Sequence, residues 1–102
     1  MKKHDIFISF SHIDNRAPFA DVDGWVTTFH QCLESRVATL LGRAPRIWRD
    51  PKLGGNDYLS DELSERLANS AVLISIVSPS YLRSKWCEKE RDIFIEHAQR
   101  NG

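Results

Sequence analysis

Glu90 stands where helical spacing calls for an apolar side chain. If residues 86–98 form a helix, each step turns roughly 100°, and Trp86, Glu90, Ile93, Phe94 and His97 fall on one stripe with Cys87 at its edge. Glu88, Lys89, Asp92, Glu96, Gln99 and Arg100 make up the opposite face, as a solvated surface requires. A carboxylate in the middle of an inward face pairs with a base from a neighbouring element, borders a cleft, or does chemistry. Spacing alone leaves all three open. Trp86 on the same stripe reads as core more readily than as the wall of a ligand site.

Other residues with chemical potential carry weaker signals. His12 and His97 lack companions at metal-ligand spacing, so no metal site is expected, and loop solvation and helix packing account for them. No histidine lies at a spacing that would activate Cys87, which reads as a small buried hydrophobe. Gly54 and Gly55 are not followed by the lysine and serine of a phosphate-binding loop, so they signal backbone freedom instead.

The elements that must position Glu90 follow from the chain upstream. Residues 5–10 (DIFISF) form a β-branched and aromatic run without clean alternation, the pattern of a strand covered on both faces. A connecting segment rich in Asp, Asn and Pro follows. Trp25, Val26, Phe29, Leu33, Val37, Leu40 and Leu41 then recur at intervals of three and four, which predicts a helix that Gly42 stops. Residues 46–49 (RIWR) suit a brief second strand, and DPKLGGND is a loop. Leu59, Leu63 and Leu67, behind acidic Asp61 and Glu62, predict a second helix. Residues 71–77 (AVLISIV) form a third strand that feeds a loop and then the helix bearing Glu90.

Strand and helix thus alternate three times. This predicts an α/β fold, a flavodoxin-like parallel sheet with helices on both faces and right-handed crossovers. Ligands in such folds bind beyond the carboxyl ends of the strands where the strand order reverses, here between the first and third. Glu90 lies just past the third strand, so topology and periodicity converge on one place.

Composition narrows the field further. With 102 residues, 41% of them hydrophobic, the chain holds one domain, residues 1–102, with a small core. Fourteen basic and fourteen acidic residues cancel without forming blocks, which argues against nucleic acid or an anionic membrane as partner. Cys32 and Cys87 have no pairing motif and the start holds no signal peptide, so a cytoplasmic setting is expected.

Three blocks, DIFISFS, IWRDPKLGGND and SPSYLRSKWCEKE, resemble in order and spacing those of TIR (Toll/interleukin-1 receptor) domains, over nearly the whole chain. That family is divided. Many members in bacterial and plant immunity, and an animal enzyme of axon degeneration, hydrolyse NAD, whereas receptor and adaptor members only assemble with each other. A glutamate four positions after the tryptophan of the third block marks the enzymes, and Glu90 after Trp86 meets that rule. The resemblance therefore implies a bacterial type of NAD hydrolase in anti-phage defence, activated by self-assembly with other TIR domains. NAD would be its substrate, with no further cofactor. The non-enzymatic alternative is a TIR–TIR signalling module that uses residues 50–57 and the helix after them. By the same matching, Phe10, Ser11 and His12 line the pocket, Leu53 and Gly54 cover it, and Trp86 supplies an aromatic wall. The animal enzyme has an acidic residue where Gly54 stands, a departure that sets this sequence apart at that loop position.

TIR domains usually continue through two further strands and helices, so this chain reads as truncated after its third helix. The third strand is then expected to be an exposed apolar edge.

Overall fold

A computed structural model describes residues 4–49 and 61–101. The expectations for the loop at residues 50–57, including Leu53 and Gly54, and for Leu59 lie outside the described residues.

Among the described residues the first strand, β1 (His4–Ser9), is the middle of a three-stranded sheet. It pairs in parallel with β2 (Ile47–Arg49) and with β3 (Ser70–Ser75), in the order β2-β1-β3. Phe7 is the register point, opposite Trp48 on one side and Leu73 on the other. The sheet is therefore parallel, and its order reverses between β1 and β3 as expected. A middle strand in a parallel sheet is covered on both faces, which explains the unbroken apolar run.

Alternation along β1 sorts its side chains between the two faces. Ile6, Ile8 and Phe10 pack on Val26, Phe29, Leu33 and Val37 of α1 (Trp25–Leu41). On the other face Phe7 packs on Leu67 of α2 (Asp61–Ala68) and on Trp86, Ile93 and Phe94 of α4 (Lys85–Asn101). Phe7 and Leu67 are fully buried, and truncating a buried Phe to Ala costs about 3–5 kcal/mol.

Local chemistry sets the ends of the elements. Gly42 stops α1 in the left-handed region at φ 72°, with its N–H donating to the Ala38 carbonyl at 2.9 Å, as its place in the sequence predicts. The start of α1 is less ordinary. Its N-cap position is Gly24, which has no side chain to cap with, and Asn15 takes over from a short 3₁₀ turn (His12–Asn15). The Asn15 Oδ1 accepts from the Thr27 N–H at 2.9 Å, while its Nδ2 donates to Thr27 Oγ1 at 3.0 Å. A Cβ at position 24 would lie 2.0 Å from the Asn15 carbonyl oxygen, so this close approach requires glycine. At the far end of β1, Asp5 accepts two bonds from Arg43 at 2.9 and 3.0 Å and one from the Arg46 N–H at 2.7 Å. That cluster clamps the α1–β2 connection to the sheet.

Several boundaries differ from the sequence reading. The third strand stops at Ser75 rather than residue 77 because β1 ends at Ser9, and only the Ile76 N–H still reaches the Ser9 carbonyl, at 2.9 Å. Residues 79–83, expected as loop, form a short helix α3 (Pro79–Arg83). Ser78 caps it by accepting from the Tyr81 N–H, and Pro79 fills the first turn, a serine–proline start that was legible in the sequence. Among the described residues β3 pairs only with β1, and Val72 on it is 49% exposed, so it is an apolar edge.

Candidate active site

Glu90 is 2% exposed. The helix α4 carries it to the carboxyl end of β1, where the Ser9 hydroxyl donates to its Oε1 at 2.9 Å. Ser9 shares the face of β1 that Phe7 occupies, so alternation aims it at α4. The Ser9 Oγ also lies 2.9 Å from the Tyr81 hydroxyl, which in turn donates to Ser75 Oγ at 3.0 Å. Ser9 and Tyr81 are both inaccessible to solvent. The carboxylate is thus bonded into a hydroxyl network drawn from the ends of β1 and β3 and from α3.

Beside it Cys87, 1% exposed, has its thiol pushed up from the ordinary value by burial, with the negative charge of Glu90 adding to the effect. A neutral, protonated thiol fits the reading of Cys87 as a small hydrophobe. Cys87 is more deeply placed than Trp86, so the buried stripe of α4 is rotated toward it. The Arg91 guanidinium lies over the Tyr81 ring, 5.4 Å from its centre. Among the described residues its buried Nε has no hydrogen-bond partner.

Of the other predicted site residues, Phe10, Ser11, His12 and Trp86 are among the described residues. Phe10, 5% exposed, belongs to the α1-side core, and its ring lies 4.8 Å from that of His12. Ser11 Oγ meets Ser80 Oγ at 2.9 Å, joining the segment after β1 to α3. Trp86 is half-buried against the Phe7 cluster. The Ser78 hydroxyl, besides capping α3, donates to Asp14 at 2.5 Å. Two separate contacts therefore tie the β1 exit to the β3 exit, across the point where strand order reverses.

Residues that the sequence reading passed over also converge here. Ser9 and Tyr81 could have been found from alternation on β1 and from the need of a buried phenol for a partner. On the α1 face an open groove of about 400 Å³ is lined by Thr27, His30, Gln31, Ile47, Trp48 and Arg49. The Arg49 guanidinium meets His30 Nδ1 at 2.7 Å and donates to Thr27 Oγ1 at 2.9 Å. Burial, and then the charge of Arg49, pushes the His30 imidazole below its ordinary value, so it accepts this bond as the neutral ring. Positions 27 and 30 lie one helical turn apart on α1, but no sequence spacing links them to position 49.

A parallel sheet with β1 in the middle and helices on both faces defines a flavodoxin-like α/β domain, with a buried acid near the carboxyl ends of its strands. The family model described as "TIR domain" matches residues 6–102. The chain also resembles the protein called "Disease resistance protein RUN1" of Vitis rotundifolia, at 30% identity over 88 residues that cover 85% of this chain. The chain belongs to the TIR domain family. It spans only 6% of the length of that curated relative. The family covers both NAD-hydrolysing and signalling roles, and its members commonly interact with one another. Among the described residues no helix is long and apolar enough to cross a membrane.

Proposed function

We propose that this chain is an NAD hydrolase that cleaves the bond between nicotinamide and ribose, with Glu90 as its catalytic residue. The observation that carries the reading is a carboxylate, 2% exposed and hydrogen-bonded by a serine, at the sheet's switch point one turn after Trp86. The reaction passes through an oxocarbenium-like transition state with positive charge on the ribose ring. The carbon–nitrogen bond breaks with its electron pair going to the pyridine nitrogen, so a cationic ring departs neutral and needs no strong general acid. Water then adds to the sugar carbon and releases a proton to solvent. One carboxylate suffices if it accepts from ribose hydroxyls and faces the developing cation in a site shielded from water.

Phe10, Ser11, His12, Leu53, Gly54 and Trp86 are the proposed surroundings of the substrate. Because Glu90 is covered in this state, substrate access depends on a rearrangement, which we assign to self-assembly with other TIR domains in the cytoplasm. The disease-resistance relative supports an immune setting, and an effector role in bacterial anti-phage defence is the specific form proposed. NAD enters only as substrate, without a further cofactor or metal.

A second reading, a non-enzymatic TIR–TIR module, draws support from the apolar side chains of Phe19 and Trp25, which are 69% and 52% exposed. Incubating concentrated protein with NAD and following nicotinamide by chromatography separates the two. Release that is lost in Glu90→Ala is the expected result. No release, or equal release from the variant, overturns the enzymatic reading.

A further inference from the structure

A carboxylate with almost no access to water stays ionised only if donors replace its hydration. Ser9 has one hydroxyl proton, and that proton goes to Glu90. In the 2.9 Å contact between Ser9 and Tyr81 the tyrosine must then be the donor. The phenol also donates to Ser75, 3.0 Å away, so its bond to Ser9 requires a three-centred arrangement. A hydroxyl that accepts a hydrogen bond becomes a better donor. Tyr81 thereby strengthens the bond that Ser9 makes to Glu90.

We propose that Ser9 and Tyr81 are positioning residues for Glu90, holding its carboxylate ionised and in one orientation from behind. The catalytic consequence rests on the NAD-hydrolase reading; the hydroxyl chain itself does not. Among the described residues, several other groups lie near this spot. On α4 itself Cys87 is neutral and Arg91 covers the Tyr81 ring. The strands β1 and β3 bring uncharged serines, and α2 brings Leu67 to the adjoining apolar cluster. Ser9 is thus a proton donor to a carboxylate that is almost wholly withdrawn from water.

The test uses the full chain with carbon-13 at glutamate side-chain carboxyls, as wild type, Ser9→Ala and Tyr81→Phe, the Glu90 signal being assigned by its loss in Glu90→Gln. In Ser9→Ala the Glu90 carboxyl is expected to titrate about one pH unit higher, the usual worth of a hydrogen bond to a charged group. Tyr81→Phe is expected to move it by a smaller step in the same direction. An unmoved Glu90 titration in Ser9→Ala overturns the proposal, and Tyr81→Phe decides by the same criterion if Ser9→Ala does not fold. In the nicotinamide assay the acid limb of kcat moves up by the same amount with KM nearly unchanged, which a merely structural loss of folded protein does not produce. Wild-type protein that releases no nicotinamide sinks the NAD reading alone, because the carboxyl titration still decides the role of Ser9 and Tyr81.

Discussion

The Ser9 hydroxyl and the Glu90 carboxylate meet at 2.9 Å although 81 positions separate them in the chain. This bond joins the middle strand of the sheet to α4 near the carboxyl ends of β1 and β3. Glu90→Gln keeps the size of the side chain and an oxygen that accepts from Ser9. Nicotinamide release is expected to fall by about 10²-fold or more, the scale of losing one transition-state electrostatic contact. Thermal melting by circular dichroism should show the fold retained, and full activity in this variant would remove Glu90 from the mechanism.

Gly24 and Asn15 form a second tight pair. Because a Cβ at position 24 would meet the Asn15 backbone at 2.0 Å, Gly24→Ala should destabilise the domain by roughly 1–3 kcal/mol through overpacking. Asn15→Ala should cost about 1 kcal/mol as a lost cap. The Asn15 Oδ1, which Asn15→Ala removes, would also lie 2.4 Å from that Cβ, so the double variant is expected to lose less than the sum. Urea midpoints of the three variants test this.

Asp5 predicts behaviour in acid. Its bonds from Arg43 and from the Arg46 N–H hold its carboxyl well below the usual carboxylate range. A group depressed in the folded state stabilises above its unfolded value, about 3.9 for Asp, and loses that contribution as pH falls toward the folded value. Asp5→Ala should therefore melt below wild type at pH 7, and the gap should shrink below about pH 4. A gap that stays constant down to pH 2 would contradict the assignment.

His30 predicts a separate, higher window. Its imidazole is pushed down by burial and by Arg49, so the unfolded chain takes up a proton before the folded one does. Stability is then expected to fall as pH drops below about 6.5, the ordinary histidine value, and to level off once the folded protein is also protonated. His30→Gln should remove this step and leave the Asp5 step intact. Denaturant midpoints at pH 8, 6.5 and 5 read it directly.

Much of the architecture was legible beforehand because it rests on local periodicity. Trp25 through Leu41 announced α1 by spacing, and Gly42 announced its end. The apolar run of β1 announced a strand covered on both sides, and the alternation of elements implied the parallel sheet. Residues 79–83 were passed over because five residues carry too little periodicity to register, although Ser78 and Pro79 held the capping signal. Asn15 as the cap of α1 was not legible at all, since it acts from outside the helix across a turn.

For the candidate site the division is sharper. The sequence alone determined that Glu90 would face inward from a helix, because each α-helical step turns by a set angle and the neighbouring apolar residues mark the buried side. It also placed that helix after the third strand, and hence near the reversal in strand order. Only the tertiary structure decided what Glu90 meets. Its partner depends on the register of β1 against β3, on which face Ser9 takes, and on the short α3 that turns the Tyr81 phenol back toward the sheet. Those are contacts between distant segments, set by how the elements pack, and no local pattern of residues encodes them.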